Sequence, residues 1–178
     1  PVPGFNVESL EVAHAVLADL HGRLTDEQRE HVPDRMPCTR FALDSAMEML
    51  GEDWDLPPAK MRTAALLPAG KAAQAALQRA RAAGYTCFKW KVSGQTLPKD
   101  IGQLFELIAS LPEGCKLRLD ANGTLTPAEA GRLLAALEGV EAIECVEQPV
   151  APEDLETLRM LAREYSTPVA LDETVTTI

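Results

Sequence analysis

From residue 62 onward, short apolar runs alternate with amphipathic ones, and this rhythm restricts the fold more than any other feature. The candidate strands are "RTAALLP", "YTCFKWKV", "CKLRLDAN", "AIECVEQP" and "PVALDE". The stretches between them have helical spacing. The first carries Ala73, Ala76, Leu77 and Ala80 on one face and ends at Gly84. The second carries Ile101, Leu104, Phe105 and Ile108. The third opens with Thr126, Pro127 and Glu129, a capping box with a proline start, and buries Ala130, Leu133, Leu134 and Leu137. The fourth, "PEDLETLRMLAREY", has acidic residues early and Arg159 and Arg163 late, as the helix macrodipole favours. Strict alternation predicts an α/β fold with a parallel sheet and right-handed crossovers. Two architectures fit: a doubly wound open sheet, or about five strands of a (β/α)8 barrel. A dinucleotide-binding sheet would show GxGxxG after its first strand. The sequence there is "PAGKAAQ", which weakens that reading.

Residues 1–56 read as helical. Leu10, Ala13 and Leu17 form one apolar stripe, and Leu43, Ala46, Met47 and Leu50 another. "TDEQREHVPDRMPCT" reads as a polar connection, and "GEDWDLPPAK" as a linker or turn. This gives two expected parts, 1–56 and 57–178.

The net charge of −10, with no Lys/Arg cluster, argues against nucleic acid as a partner. No apolar run approaches the roughly 20 residues of a membrane span, so no membrane partner is expected. "PVPGFNVESLE" has no basic start and no apolar core, so no secretory signal is expected there. Cys38, Cys87, Cys115 and Cys145 form no CxxC pair and read as reduced thiols of a cytoplasmic protein. His14, His21 and His31 lack metal-ligand spacing.

Four strands end in ionisable residues: Lys91, Asp120, Glu147 and Asp172, at intervals of 29, 27 and 25 residues. Each interval is one βα unit. The C-terminal ends of parallel strands form the functional face of such folds. Side-chain parity pairs Lys89 with Lys91, Arg118 with Asp120, Cys145 with Glu147, and Ala170 with Asp172. Phe88, Trp90, Leu117, Leu119, Val146 and Leu171 fall on the other side and suit packing against helices.

Three carboxylates that converge repel one another, and desolvation worsens this. A divalent cation solves the problem, and an all-oxygen set favours Mg²⁺ (or Mn²⁺). Two lysines roughly 6–7 Å apart on one strand face should lower each other's pKa. A lysine brought toward neutrality can act as a general base. The alternative is a lysine pair guarding an edge strand against aggregation, but this strand lies between two βα units. Base and metal together suggest abstraction of a proton next to a carboxylate.

The motifs "KWK", "LRLDANG", "VEQP" and "ALDET" resemble the enolase superfamily in its muconate-lactonising subgroup. "GYTCFKWKVSG", "KLRLDANGTLT" and "IECVEQPVAPEDLETL" are similar to the o-succinylbenzoate synthase family of cyanobacterial type. "PGFNVESLEVA" and "RFALDSAMEML" resemble the helical part of that family's capping domain. The resemblance implies a partial (β/α)8 barrel behind a helical remnant of the capping domain. It implies Asp120, Glu147 and Asp172 as Mg²⁺ ligands, Lys91 as general base and acid, and Lys89 as an electrostatic aid. Asn122, Gln148 and Glu173 would support the ligands or the substrate. The implied reaction is syn dehydration of a small-molecule carboxylate to 2-succinylbenzoate in menaquinone or phylloquinone synthesis. The alternatives are an N-acylamino-acid racemase or dipeptide epimerase, and an inactive barrel fragment with a structural or self-assembling role. A complete barrel takes about 250 residues, so an internal fragment is expected here. Self-association or a second chain is expected to cover its open edges.

Overall fold

The computed structural model describes residues 8–51, 63–92 and 96–176. The chain divides into two compact units, Pro1–Lys60 and Met61–Ile178. The expected boundary at 56/57 and most of "GEDWDLPPAK" lie outside the described residues. Among the described residues, no helix is long and apolar enough to cross a membrane.

The first unit holds α1 (Leu10–Asp19), α2 (Asp26–Glu30) and α3 (Pro37–Gly51). Ser9 caps α1 by accepting from the Val12 N–H. Helix α2 lies inside the stretch expected to be a connection. Its signal was present: Thr25 and Gln28 close a capping box, satisfying the first backbone donors of a five-residue helix. Glu8 does the same for α3 across thirty residues of chain. Its carboxylate accepts from Cys38 N at 2.6 Å, Thr39 N at 3.0 Å and Thr39 Oγ1 at 2.6 Å. Burial raises the Glu8 pKa, but these hydrogen bonds outweigh it and hold the carboxyl below its ordinary value.

The buried cluster of this unit is Val32, Met36 and Leu43, with Val16, Leu20 and Leu24 packed against it. The expected stripes hold in part. Ala13 and Leu43 are buried, whereas Leu10, Leu17 and Leu50 are exposed, and Val16 and the C-cap residue Leu20 pack against the cluster instead.

The second unit alternates β1 (Ala65–Leu67), α4 (Ala72–Ala82), β2 (Cys87–Lys91), α5 (Leu97–Ala109), β3 (Lys116–Asp120), α6 (Pro127–Ala136), β4 (Ile143–Glu147), α7 (Leu155–Glu164) and β5 (Val169–Ala170). A short 3₁₀ turn, Glu173–Thr176, follows. All strand pairings are parallel, in the order β1-β2-β3-β4-β5. This order decides between the two architectures. A doubly wound sheet reverses its strand order at a switch point, whereas a barrel adds each strand beside the last. The unit is a five-strand portion of a (β/α) barrel.

Phe88, Trp90, Leu117, Leu119 and Val146 are at most 1% exposed and form one side of the sheet. Leu77, Leu104, Leu133, Leu134 and Leu161 pack onto them from the helices. Each such burial contributes about 1.5–3 kcal/mol. Two expectations fail at the margins. Phe105 is 41% exposed, because α5 buries Leu97, Leu104 and Leu107 instead. Leu171 is 44% exposed, because β5 ends at Ala170 and no strand pairs beyond it among the described residues.

Candidate metal and proton-transfer site

Register does most of the assembly. Lys91 lies opposite Asp120, and Asp120 lies opposite Glu147. Glu147 in turn faces Ala170, so Asp172 comes two residues beyond that row. One row below, Lys89 lies opposite Arg118, and Arg118 opposite Cys145. The C-terminal rim therefore carries Lys91, Asp120 and Glu147 side by side.

Lys89 reaches up into this row. Its Nζ donates to Glu147 Oε1 at 2.7 Å and lies 2.9 Å from Asp120 Oδ2. The three side chains are only 11–27% exposed. Burial pulls the Lys89 pKa down, but the hydrogen bonds to Glu147 and Asp120 more than offset it, and the net shift is upward. For Lys89 this reverses the expected depression: the two carboxylates outweigh burial. Lys91 is exposed and makes no side-chain hydrogen bond or ion pair among the described residues.

The loops after the strands are tied together. Asn122 N donates to Asp120 Oδ1 at 3.0 Å, and Asn122 Nδ2 donates to Glu173 Oε1 at 3.1 Å. Gln148 is fully buried. Its Oε1 accepts from Asp172 N and Thr174 N, both at 3.1 Å. Its Nε2 donates to Val150 O at 3.0 Å and Thr174 Oγ1 at 2.8 Å. Asn122 and Gln148 both have positive φ, 44° and 39°, a strained region for residues with side chains. Gly123 follows at φ 69°, where a Cβ would meet Val150 O at 3.2 Å and Pro152 Cδ at 3.3 Å. Only glycine lets these two loops close on each other, with Gly123 N donating to Gln148 O at 2.7 Å.

The structure brings Asp120 and Glu147 together and leaves the third carboxylate apart. Asp172 is exposed and held through its backbone, its N–H donating to Gln148 Oε1 and its carbonyl accepting from Val175 N. Among the described residues, no group of three His, Cys, Asp or Glu side chains is arranged to hold a metal ion. The positive charge that pairs Asp120 with Glu147 is the Lys89 ammonium. The donor set nonetheless fits a hard divalent cation. Two carboxylates already share one positive charge, and Asn122 Oδ1 is buried with no hydrogen-bond partner among the described residues. A cleft of about 490 Å³ between α4 and α5, lined by Trp90, Gln103 and Ser110 among others, contains none of these residues.

Sequence reasoning missed Thr174, which is fully buried and bonds both polar ends of the Gln148 amide. It also missed the pairing of Arg118 with Glu144, at 2.8 Å. A signal for the second was present. Ile143 and Val146 are apolar three residues apart, in a strand that otherwise alternates by two.

Residues 71–178 match the family described as enolase C-terminal domain-like. The o-succinylbenzoate synthase of Thermosynechococcus vestitus is 38% identical over 180 residues, covering 98% of this chain and 55% of that protein. A crystal structure of o-succinylbenzoate synthase from Thermosynechococcus elongatus BP-1, complexed with Mg in its active site, superposes with a TM-score of 0.76 at 36% identity. That superposition covers 97% of this chain and 54% of the other. The L-Ala-D/L-Glu epimerase of Bacillus subtilis is 36% identical over 95 residues, 53% of this chain and 26% of that protein. The chain spans about half the length of the o-succinylbenzoate synthases it matches.

Proposed function

Because the chain belongs to the enolase C-terminal domain-like family, we propose that its strand-end cluster abstracts a proton next to a substrate carboxylate. We read the reaction as the syn dehydration of a cyclohexadiene carboxylate to 2-succinylbenzoate, in menaquinone or phylloquinone synthesis in the cytoplasm. The observation that carries this is the Lys89 ammonium between Asp120 and Glu147, with Lys91 exposed in the same row. Similarity to o-succinylbenzoate synthase over nearly the whole chain supports the choice of reaction.

Asp120, Glu147 and Asp172 would hold Mg²⁺ or Mn²⁺. When bound, that cation supplies Lewis-acid stabilisation of the charge that proton loss creates on the substrate carboxylate. Lys91 Nζ accepts the α-proton. The electron pair left behind forms the ring double bond, and the C–O bond to the hydroxyl breaks. Lys91 then returns its proton to that hydroxyl, which leaves as water. Lys89 adds positive charge beside the developing anion. Asn122, Gln148 and Glu173 hold the loops that present these groups. Residues 1–56 are read as the helical part of the family's capping domain, and 57–178 as part of its barrel.

The epimerase reading shares this proton abstraction and is favoured by the match to the Bacillus subtilis enzyme. In that reading the proton returns to the same carbon and no water is lost. Separate incubations with the cyclohexadiene carboxylate and with a dipeptide, each with Mg²⁺, separate the two. Appearance of the aromatic product by ultraviolet absorbance supports dehydration. Inversion of a dipeptide without water loss supports epimerisation, and neither result leaves the inactive, structural reading. Exposed Leu171 and Val175 at the β5 edge support self-association or a second chain that covers it. Light scattering of the purified chain reads this directly.

A further inference from the structure

Strand β4 carries one residue more than its pairing with β3 uses. Leu117 lies opposite Ile143, yet Arg118 lies opposite Cys145, so Glu144 is skipped. The cause is in the sequence. Ile143 and Val146 are 7% and 0% exposed and pack in the same core, although three residues separate them. Strict alternation would put them on opposite faces, and a β-bulge resolves the conflict. The consequence appears at the rim. Continuing the Leu117–Ile143 register without a bulge would set Asp120 opposite Val146. The extra residue sets it opposite Glu147.

Glu144 does not dangle from the bulge. Arg118 Nε donates to its Oε2 at 2.8 Å and Arg118 Nη2 to its Oε1 at 3.2 Å. Cys87 Sγ, on β2, donates to Oε2 at 3.2 Å. We propose that Arg118 and Glu144 are positioning residues: their two-pronged ion pair closes the bulge that brings Glu147 opposite Asp120. This inference rests on the ligand role proposed above for those two carboxylates.

Three observations support it. A bulge interrupts the backbone ladder, so side chains must fix its geometry, and a guanidinium fork fixes both distance and direction. Arg118 also engages Glu144, which leaves Lys89 to Asp120 and Glu147 alone. The titration directions agree. Hydrogen bonds from Arg118, then from Cys87, hold Glu144 below the usual carboxylate range. Burial, and then Glu144, push the Cys87 thiol up to about 11.

Arg118 and Glu144 are 38% and 41% exposed, so their pairing contributes little to global stability. Stability and alignment can therefore be read separately. The test is Mn²⁺ titration of the full chain by electron paramagnetic resonance, with thermal unfolding and crystal structures of the same variants. Arg118→Met is expected to weaken Mn²⁺ binding about tenfold or more, as loss of a supporting partner does. Its Tm should move by no more than about 4 °C. Its crystal structure should show Glu147 displaced from its place opposite Asp120. Glu144→Gln removes the charge but keeps an acceptor, should weaken binding less, and carries the test if Arg118→Met does not fold. The reversed pair, Arg118→Glu with Glu144→Arg, should recover most of the affinity. Mn²⁺ affinity within about twofold of wild type in both single variants, with the register intact, overturns the proposal. Asp120→Asn separates the two layers of argument: if it leaves Mn²⁺ binding unchanged, the ligand assignment itself has failed.

Discussion

The middle of the sheet and its last edge carry the same kind of side chain and hold it differently. Glu147 ends a five-residue strand with neighbours on both sides: Asp120 on β3 and Ala170 on β5. Its carboxylate meets Lys89 and is mostly buried. Asp172 follows a two-residue strand, beside an exposed Leu171, and is itself exposed. What fixes its backbone is the buried Gln148 amide rather than a strand ladder. A carboxylate between two paired strands is placed by register, whereas one past an edge strand is placed by whatever side chain reaches over to it.

Removing the central carboxylate should cost the most. Glu147→Ala should abolish measurable Mn²⁺ binding, while Asp172→Ala should only weaken it. Equal losses in a paramagnetic titration would show that the edge carboxylate is as firmly placed as the central one. The next variant tests the strap. Gln148→Met deletes four hydrogen bonds in a fully buried position, and each polar group left unsatisfied there costs about 1–3 kcal/mol. Chemical denaturation should show the loss. Hydrogen exchange should rise at Asp172 and Thr174 before it rises in β3 or β4. Uniform exchange across the sheet would deny Gln148 a local role.

A smaller effect concerns charge. The pKa of Lys89 is raised in the folded chain, so its pairing stabilises the fold fully below the ordinary lysine value. That contribution fades as pH rises through the raised value. Lys89→Met should therefore lower Tm by a constant amount through neutral pH, and the difference from wild type should shrink in strong alkali. A gap that widens there contradicts the pairing. The smallest effect is a control in the other unit. Arg29 and Asp44 pair at 3.1 Å with 38% and 45% exposure, and Arg29→Ala should cost no more than about 1 kcal/mol.

Much of this contrast was legible in the sequence. Alternation gave the strands, and the one-unit spacing of Lys91, Asp120 and Glu147 put them on one rim because each residue ends a strand of the same length. Sequence could not choose between open sheet and barrel, because strand order depends on long-range pairing rather than local pattern. It placed Asp172 at the end of a strand, since alternation continues through "PVALDE", whereas pairing stops at Ala170. It missed α2 by weighting prolines and charge over the Thr25–Gln28 capping box. The expectation of a lowered Lys89 pKa failed for a different reason. It counted the neighbour on the same strand and not the two carboxylates on the next two strands.

If this rim removes a proton next to a carboxylate, as proposed above, Lys91 carries it. The most direct measurement is deuterium exchange at the α-carbon of the cyclohexadiene carboxylate in D₂O, with Mg²⁺, for wild type and Lys91→Ala. Wild type is expected to lose the α-proton, seen as exchange or as dehydration, and Lys91→Ala to show neither. Equal proton loss in both proteins, or none in wild type, would contradict the proposal.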